Sequence, residues 1–117
     1  MKNILIISGD PNSINSEIII KTFKKLSNSV KKKVFLISSY DLIKRQFKIL
    51  KSKQKLVKVT NFEDNKRTKH LKIFDIKLNF DKPFKVHKKN ASKFIMDTLN
   101  FAHKLAISNK DTALINF

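Results

Sequence analysis

The sequence predicts a three-layer α/β protein with a mainly parallel β-sheet, and three observations support this fold class. Short apolar runs rich in β-branched residues alternate along the chain with segments whose apolar residues repeat at helical spacing. Most of these runs lack polar alternation, which is typical of parallel strands that helices cover on both faces. The length of 117 residues fits one domain.

The first predicted unit is a strand over Ile4–Ser8 followed by a helix over Glu17–Ser27. Gly9-Asp10-Pro11 ends the strand. Asn15 or Ser16 is expected to cap the helix, because short polar side chains accept hydrogen bonds from the free N–H groups of a first turn. The apolar face of this helix comprises Ile19, Ile20, Phe23 and Leu26.

The next segments repeat this order. A loop at Ser27-Asn28-Ser29 leads to a second strand over Val34–Ile37, a helix over Asp41–Leu50 and a third strand over Leu56–Val59. The helix places its apolar residues on one stripe, which comprises Leu42, Ile43, Phe47 and Leu50. Parallel strands joined in this way need crossover connections, and these are right-handed in nearly all known cases.

The second half of the chain begins with an exposed polar loop over Asn61–Lys69. Apolar and polar residues then alternate in two pieces, Leu71–Ile73 and Ile76–Phe80, and this alternation predicts a sheet edge or a hairpin with one wetter face. A long helix follows over Lys89–Ser108. Its buried stripe is predicted to comprise Ile95, Thr98, Leu99, Ala102, Leu105 and Ala106.

The last segment, Thr112–Phe117, predicts another central strand. An interior parallel strand normally leads into a loop at its carboxyl end, where α/β proteins place their chemistry. We therefore expect residues 1–117 to be the N-terminal part of a single α/β domain in a longer protein, cut in or just after this strand.

The chain is strongly basic, with a formal net charge of +17. Only Arg45 and Arg67 are arginines among its 26 basic residues, whereas dedicated nucleic-acid binders usually rely on the planar guanidinium group. The lysines are spread over nearly every predicted element, and Gly is scarce while Ile, Asn and Phe are plentiful. We favour a compositional bias that puts Lys at solvated positions. The alternative is a small Lys-rich nucleic-acid-binding module.

Composition also excludes several kinds of site. The chain contains no Cys, so it has no disulfide, no thiolate metal site and no thiol nucleophile. No apolar run approaches the roughly 20 residues of a membrane span, and Ile4–Ile7 is shorter than the apolar core of a signal peptide. His70, His87 and His103 are separated by 17 and 16 residues, which does not suit the converging ligands of a metal site.

The turn after the first strand is the main candidate site. It lies at the carboxyl end of a parallel strand and before a helix, where free N–H groups can meet an anion. It has neither a G-x-G-x-x-G fingerprint nor a Walker motif, so an ordinary tight turn and a binding loop both remain open. Asp10 is the one carboxylate at the end of this strand, and its side chain can equally form the turn.

The segment Ile4–Ile18 resembles the start of the 4-hydroxythreonine-4-phosphate dehydrogenase family, which has a strand followed by the signature G-[DE]-P-A-G-I-G-P-[DE]. Five positions match this signature: Gly9, Asp10, Pro11, Ile14 and Glu17. Four positions depart from it: Asn12, Ser13, Asn15 and Ser16 stand where Ala, Gly, Gly and Pro are usual. Later segments are similar to the family's edge segment, its long helix and its D-A-[LIV]-[VI]-T strand: Leu71–Ile76, Lys85–Leu105 and Thr112–Asn116.

This resemblance implies an enzyme of pyridoxal phosphate biosynthesis that oxidises a small phosphorylated hydroxy-amino acid, 4-phosphohydroxy-L-threonine. It implies NAD or NADP as cofactor, a divalent metal (Zn, Mg or Co), a cytoplasmic homodimer, and a fold similar to isocitrate and isopropylmalate dehydrogenases. Residues 1–117 correspond to about the first third of such an enzyme, and the family's metal-binding histidines lie beyond Phe117. The resemblance therefore implies that the isolated chain is inactive and that Gly9, Asp10 and Pro11 line the cleft.

Overall fold

A computed structural model describes residues 3–63 and 69–116 of the chain. They form one five-stranded, fully parallel sheet with the strand order β3-β4-β2-β1-β5. The elements are, in chain order, β1 (Asn3–Ile7), α1 (Asn15–Lys25), α2 (Asn28–Lys31), β2 (Val34–Ser38), α3 (Tyr40–Ile49), β3 (Lys55–Val59), β4 (His70–Asp75), α4 (Lys88–Ser108) and β5 (Thr112–Asn116). The predicted α/β class and parallel sheet are confirmed.

The sheet is the middle of three layers. Helices α1 and α3 cover one face, where Ile19 and Phe23 of α1 pack with Leu36 of β2. Helix α4 covers the other face, where Ala102 packs with Phe35 and Ile37 of β2. Successive side chains of a strand point to opposite faces, so β2 supplies both cores and its five residues are all buried. None of the described helices combines the length and apolar character needed to cross a bilayer.

Two predictions at helix starts are wrong. Helix α1 begins at Asn15 behind the N-cap residue Ile14, which provides no side-chain cap, so neither Asn15 nor Ser16 caps it. Asn15 instead donates its side-chain Nδ2 to the Ser8 carbonyl at 2.9 Å. The predicted loop over Ser27–Ser29 is the start of the short helix α2, because the Ser27 hydroxyl accepts a hydrogen bond from the Val30 N–H.

Strand β4 is interior, whereas the alternation of Leu71–Ile73 predicted a sheet edge or a hairpin. It lies between β2 and β3, and β3 is the edge strand. The alternation is misleading because Lys72 is fully buried despite its charge. The second piece, Ile76–Phe80, is not a strand; its apolar side chains Leu78 and Phe80 pack against a small cluster around Leu42.

Strand β5 was predicted to be a central strand of a longer protein, and this stays a prediction. It pairs with β1 on one side and lies at the edge of the described sheet, with Leu114 and Ile115 exposed. The predicted loop over Asn61–Lys69 is described only at its ends, because residues 64–68 lie outside the described ranges. Phe62 of this loop is half-buried and packs edge-on against Phe35 and Phe74.

The long helix agrees closely with its prediction. It spans Lys88–Ser108 with Asn109 as its C-cap, so it begins one residue before the predicted range and ends where predicted. Thr98 and Ala102 of the predicted stripe are buried, and its other members are half-buried. The sequence analysis missed Ala91 and Phe94, which extend this buried face towards the start of the helix.

Candidate functional site

The loop after β1 occupies the position where open α/β sheets bind ligands. Strands β2, β4 and β3 lie on one side of β1 and β5 lies on the other, so the chain order reverses at β1. Helix α1 leaves this loop on one face of the sheet, while α4 covers the opposite face. Crevices at the carboxyl ends of strands beside such a reversal are the usual binding sites of this architecture. Gly9, Asp10 and Pro11 lie there.

The backbone of the loop forms a tight turn. Gly9 is buried and has a φ of 73°, a left-handed conformation that costs a residue with a Cβ atom more than it costs glycine. Asp10 is exposed, and its Oδ1 accepts a hydrogen bond from the Asn12 N–H at 2.9 Å. The Asp10 carbonyl accepts two more, from the Ser13 N–H at 3.1 Å and the Ser13 hydroxyl at 2.7 Å. Asp10 therefore has the turn-forming role that the sequence left open.

The loop is also tied to distant segments. The Asn12 side chain donates to the Val86 carbonyl at 2.9 Å and accepts from the Val86 N–H at 2.7 Å. Gln46 of α3 is buried and donates its Nε2 to two carbonyls, that of Pro11 at 2.8 Å and that of Pro83 at 2.7 Å. These bonds connect the loop to α3 and to the segment before α4.

Sequence reasoning missed both of these anchoring residues. Asn12 stands where the resembling family's signature has Ala, and its amide makes the pair of bonds that an Ala side chain lacks. Gln46 carried a detectable signal, because it falls next to Phe47 on the predicted apolar face of α3. A polar side chain on a buried helix face usually has a hydrogen-bonding partner.

The histidines are not brought together. His70 is the first residue of β4, so it lies at the amino ends of the strands, opposite the loop. His103 is exposed on α4. His87 caps α4, where its Nδ1 accepts from the Lys89 N–H at 3.3 Å. Over residues 3–63 and 69–116, no group of three or more His, Asp or Glu side chains could hold a metal ion.

Two cavities lie near the carboxyl ends of the strands. A cavity of about 10 Å³ lies beneath the loop, among residues that include Ser8, Ser16 and Ser38. A wider surface cleft of about 740 Å³ separates α3 from residues 78–81. Its charged wall residues are Lys44, Arg45, Lys48, Asp41 and Asp81. The Arg45 guanidinium lies 5.1 Å from the centre of the Phe80 ring. The loop thus covers a small polar cavity, while the wall of the larger open cleft carries three basic and two acidic residues.

No protein-family model matches the chain, and no curated protein matches it significantly. Its fold is similar to that of solved 4-hydroxythreonine-4-phosphate dehydrogenases. The Klebsiella pneumoniae enzyme is 20% identical with a TM-score of 0.83, and the match covers 100% of this chain and 37% of the enzyme.

Two further structures agree with this match. A Salmonella typhimurium protein assigned to the same enzyme is 19% identical with a TM-score of 0.81, and the match covers 99% of this chain and 37% of that protein. The Burkholderia phymatum enzyme is 20% identical with a TM-score of 0.79, over 99% and 36% of the two chains. The resemblance predicted from the sequence is confirmed at the level of fold: the chain has the fold of a part of these dehydrogenases and spans about 37% of their length.

Proposed function

We propose that these 117 residues form the N-terminal part of a dehydrogenase that oxidises 4-phosphohydroxy-L-threonine with NAD or NADP. One observation carries the proposal: nearly the whole chain matches three solved structures assigned to this enzyme, at TM-scores of 0.79 to 0.83. The signature residues Gly9, Asp10 and Pro11 support it, because they lie at the carboxyl end of the strand where the chain order reverses.

The same proposal includes a homodimeric, cytoplasmic enzyme of pyridoxal phosphate biosynthesis. It also includes a divalent metal, Zn, Mg or Co, which would polarise the hydroxyl oxygen of the substrate. The described residues do not fit a metal site, since their histidines are far apart and no acidic cluster replaces them. The metal ligands would therefore come from outside this chain, and no step of the reaction is assigned to its residues.

The role proposed for the chain is to build one wall of the cleft. The bonds from Asn12 to Val86 and from Gln46 to Pro11 hold the loop in place before any ligand arrives. A wall positioned in advance lowers the ordering cost of binding. Asp10 presents an exposed carboxyl group on this wall, with Oδ1 already engaged by the Asn12 N–H.

An activity assay tests whether the catalytic groups lie elsewhere. The purified 117-residue chain is incubated with 4-phosphohydroxy-L-threonine, NAD or NADP, and each of the three metals. We expect no reduction of the nicotinamide, because residues 3–63 and 69–116 contain no group of side chains that could hold the metal. Turnover by the isolated chain would contradict the assignment as a part of the enzyme.

The coding sequence downstream of residue 117 provides the positive test. The proposal expects a Pro-Ile-x-Lys or Pro-Val-x-Lys motif directly afterwards, and then Gly-His-Thr-Glu within a few tens of residues. A continuation without these motifs would remove the source of the metal-binding and phosphate-binding groups and would contradict the proposed substrate.

A second candidate function is supported by the distribution of charge around α3. Beside the cleft already described, surface clefts of about 300 and 500 Å³ lie along this helix and the turn that follows it. Basic side chains line all three clefts: Lys24, Lys44, Arg45, Lys48, Lys51 and Lys53. They outnumber the two carboxylates of these clefts, Asp41 and Asp81. None of them forms an ion pair with a carboxylate among the described residues. This surface, the α3 basic surface, would bind the phosphates of a single-stranded nucleic acid.

Salt dependence tests this second function. We expect fluorescence anisotropy with a single-stranded oligonucleotide to give an affinity that falls steeply as KCl rises. The triple variant Lys44→Gln, Lys48→Gln, Lys51→Gln should reduce the slope of log affinity against log salt by about 2, at roughly 0.7 per lost phosphate contact. The charge-matched control is Lys88→Gln, Lys89→Gln, Lys104→Gln on α4. An equal change in the control would mean that net charge alone drives binding.

A further inference from the structure

Three buried serine hydroxyls lie together at the carboxyl edge of the sheet. Ser8 follows β1, Ser16 lies in the first turn of α1 and Ser38 ends β2. Their exposed fractions are 7%, 4% and 0%, respectively. None of the three Oγ atoms has a hydrogen-bond partner among the described residues. They are the described side chains whose buried polar atoms remain unpaired in this way.

All three residues line the cavity of about 10 Å³ beneath the loop. The cavity also reaches Gln46, whose Nε2 is engaged by the carbonyls of Pro11 and Pro83. A hydroxyl buried without a partner destabilises the fold by about 1–3 kcal/mol. Three of them in one place would therefore remove a large part of the stability of a domain of this size. The grouping indicates that a shared partner satisfies them.

The size and charge of the cavity identify that partner. A volume of about 10 Å³ is close to the minimum that holds one water molecule, and it is too small for a phosphate or a carboxylate group. Asp10 is among the residues that line the same cavity, and its negative charge disfavours a bound anion. Hydroxyl groups can both donate to and accept from a water molecule, which typically makes about three hydrogen bonds in such a site.

We propose that Ser8, Ser16 and Ser38 bind a single ordered water molecule beneath the loop. This water connects β1, α1 and β2 at the point where the loop leaves the sheet, and it positions the Gly9–Pro11 backbone from below. Asn12 and Gln46 hold the same loop through their hydrogen bonds to Val86 and Pro11. The site belongs to this chain alone and does not depend on the proposed dehydrogenase activity.

Thermal unfolding of single variants distinguishes a filled site from an empty one, because the melting temperature changes in opposite directions in the two cases. If the water is bound, Ser38→Ala and Ser16→Ala each leave it with one partner fewer, and we expect the melting temperature to fall by about 3–6 °C. If the site is dry, each change removes an unsatisfied hydroxyl, and the melting temperature rises. Ser92→Ala is the control for helical propensity, because Ser92 lies early in α4 and is exposed. The change in melting temperature for Ser16→Ala is measured relative to the change for Ser92→Ala.

A crystal structure of the 117-residue chain tests the site directly. We expect one density peak within about 3.2 Å of all three Oγ atoms, and its loss in the Ser16→Ala, Ser38→Ala double variant. An empty cavity with the hydroxyls bonded to one another would overturn the proposal. So would an anomalous peak at this position after a rubidium chloride soak, which would identify a monovalent cation, or tetrahedral density from crystals grown in phosphate.

Discussion

Strands β2 and β5 flank β1 on its two sides and have the same parallel pairing with it, yet their environments differ. Every residue of β2 is buried, whereas Leu114, Ile115 and Asn116 of β5 are exposed. The contrast is clearest in one row of the sheet, where Leu5 of β1 lies between Phe35 and Leu114. Phe35 is 0% exposed and Leu114 is 39% exposed.

The difference arises from what lies beyond each strand. Strand β2 is followed in the sheet by β4, and helices cover both of its faces. Strand β5 has β1 as its one neighbour in the described part of the chain and contacts α4. An apolar run therefore indicates that a strand can be buried, but its position in the sheet decides how far it is buried.

The largest expected effect concerns the buried strand, β2. Phe35 contacts the rings of Phe62 and Phe74 at centroid distances of 5.0 and 5.6 Å. Phe35→Ala should lower the free energy of unfolding by about 3–5 kcal/mol, because it removes a fully buried ring and leaves a cavity. Urea denaturation followed by circular dichroism measures the change. A loss below about 1 kcal/mol would mean that β2 does not form the centre of the core.

An intermediate effect tests whether β4 is what buries β2. The Lys72 Nζ donates to the Lys32 carbonyl at 2.7 Å and lies 4.1 Å from the centre of the Phe35 ring. Lys72→Ala removes a buried stem and a charged hydrogen bond, so we expect a loss of about 2–4 kcal/mol in the same urea experiment.

The control for this variant is Lys58→Ala, at an exposed position of the edge strand β3. Lys58 forms one exposed ion pair with Asp75 at 3.8 Å, and such pairs contribute about 0–1 kcal/mol. Equal losses for the two variants would contradict an interior position for β4.

The smallest expected effect concerns the more exposed strand, β5. Leu114→Ala should lower the free energy of unfolding by less than about 1 kcal/mol, since the side chain already retains much of its contact with water. The variant is compared directly with Phe35→Ala in the same row. A loss as large as that of Phe35→Ala would show that β5 is covered in solution, for instance by association between chains.

Local patterns allowed most elements to be predicted. The apolar stripes that include Ile19 and Phe23 of α1, and Leu42 and Phe47 of α3, defined their helices because helical periodicity is visible within a few turns. Strand positions were predicted less well, since neighbours in the sheet are distant in sequence. The buried charge of Lys72 made an interior strand resemble an edge strand.

The candidate site shows the same division between local and distant information. Gly9, Asp10 and Pro11 were placed correctly at the carboxyl end of the first strand, because the strand and the turn are adjacent in sequence. The partners of Asn12 and Gln46 were not predicted, since Val86 and Pro83 reach the loop only in the folded chain. The three buried serines meet for the same reason, from two strand ends and a helix.

The bond between Asn12 and Val86 also makes a single amide a reporter of folding. The two residues are 74 positions apart, so the Val86 N–H finds its acceptor only after the first strand and the start of α4 have come together. Its hydrogen exchange in heavy water should therefore be slow and should follow the opening of the assembled domain rather than local fraying. In a folding experiment, protection of this amide marks the moment at which the two distant parts of the chain dock.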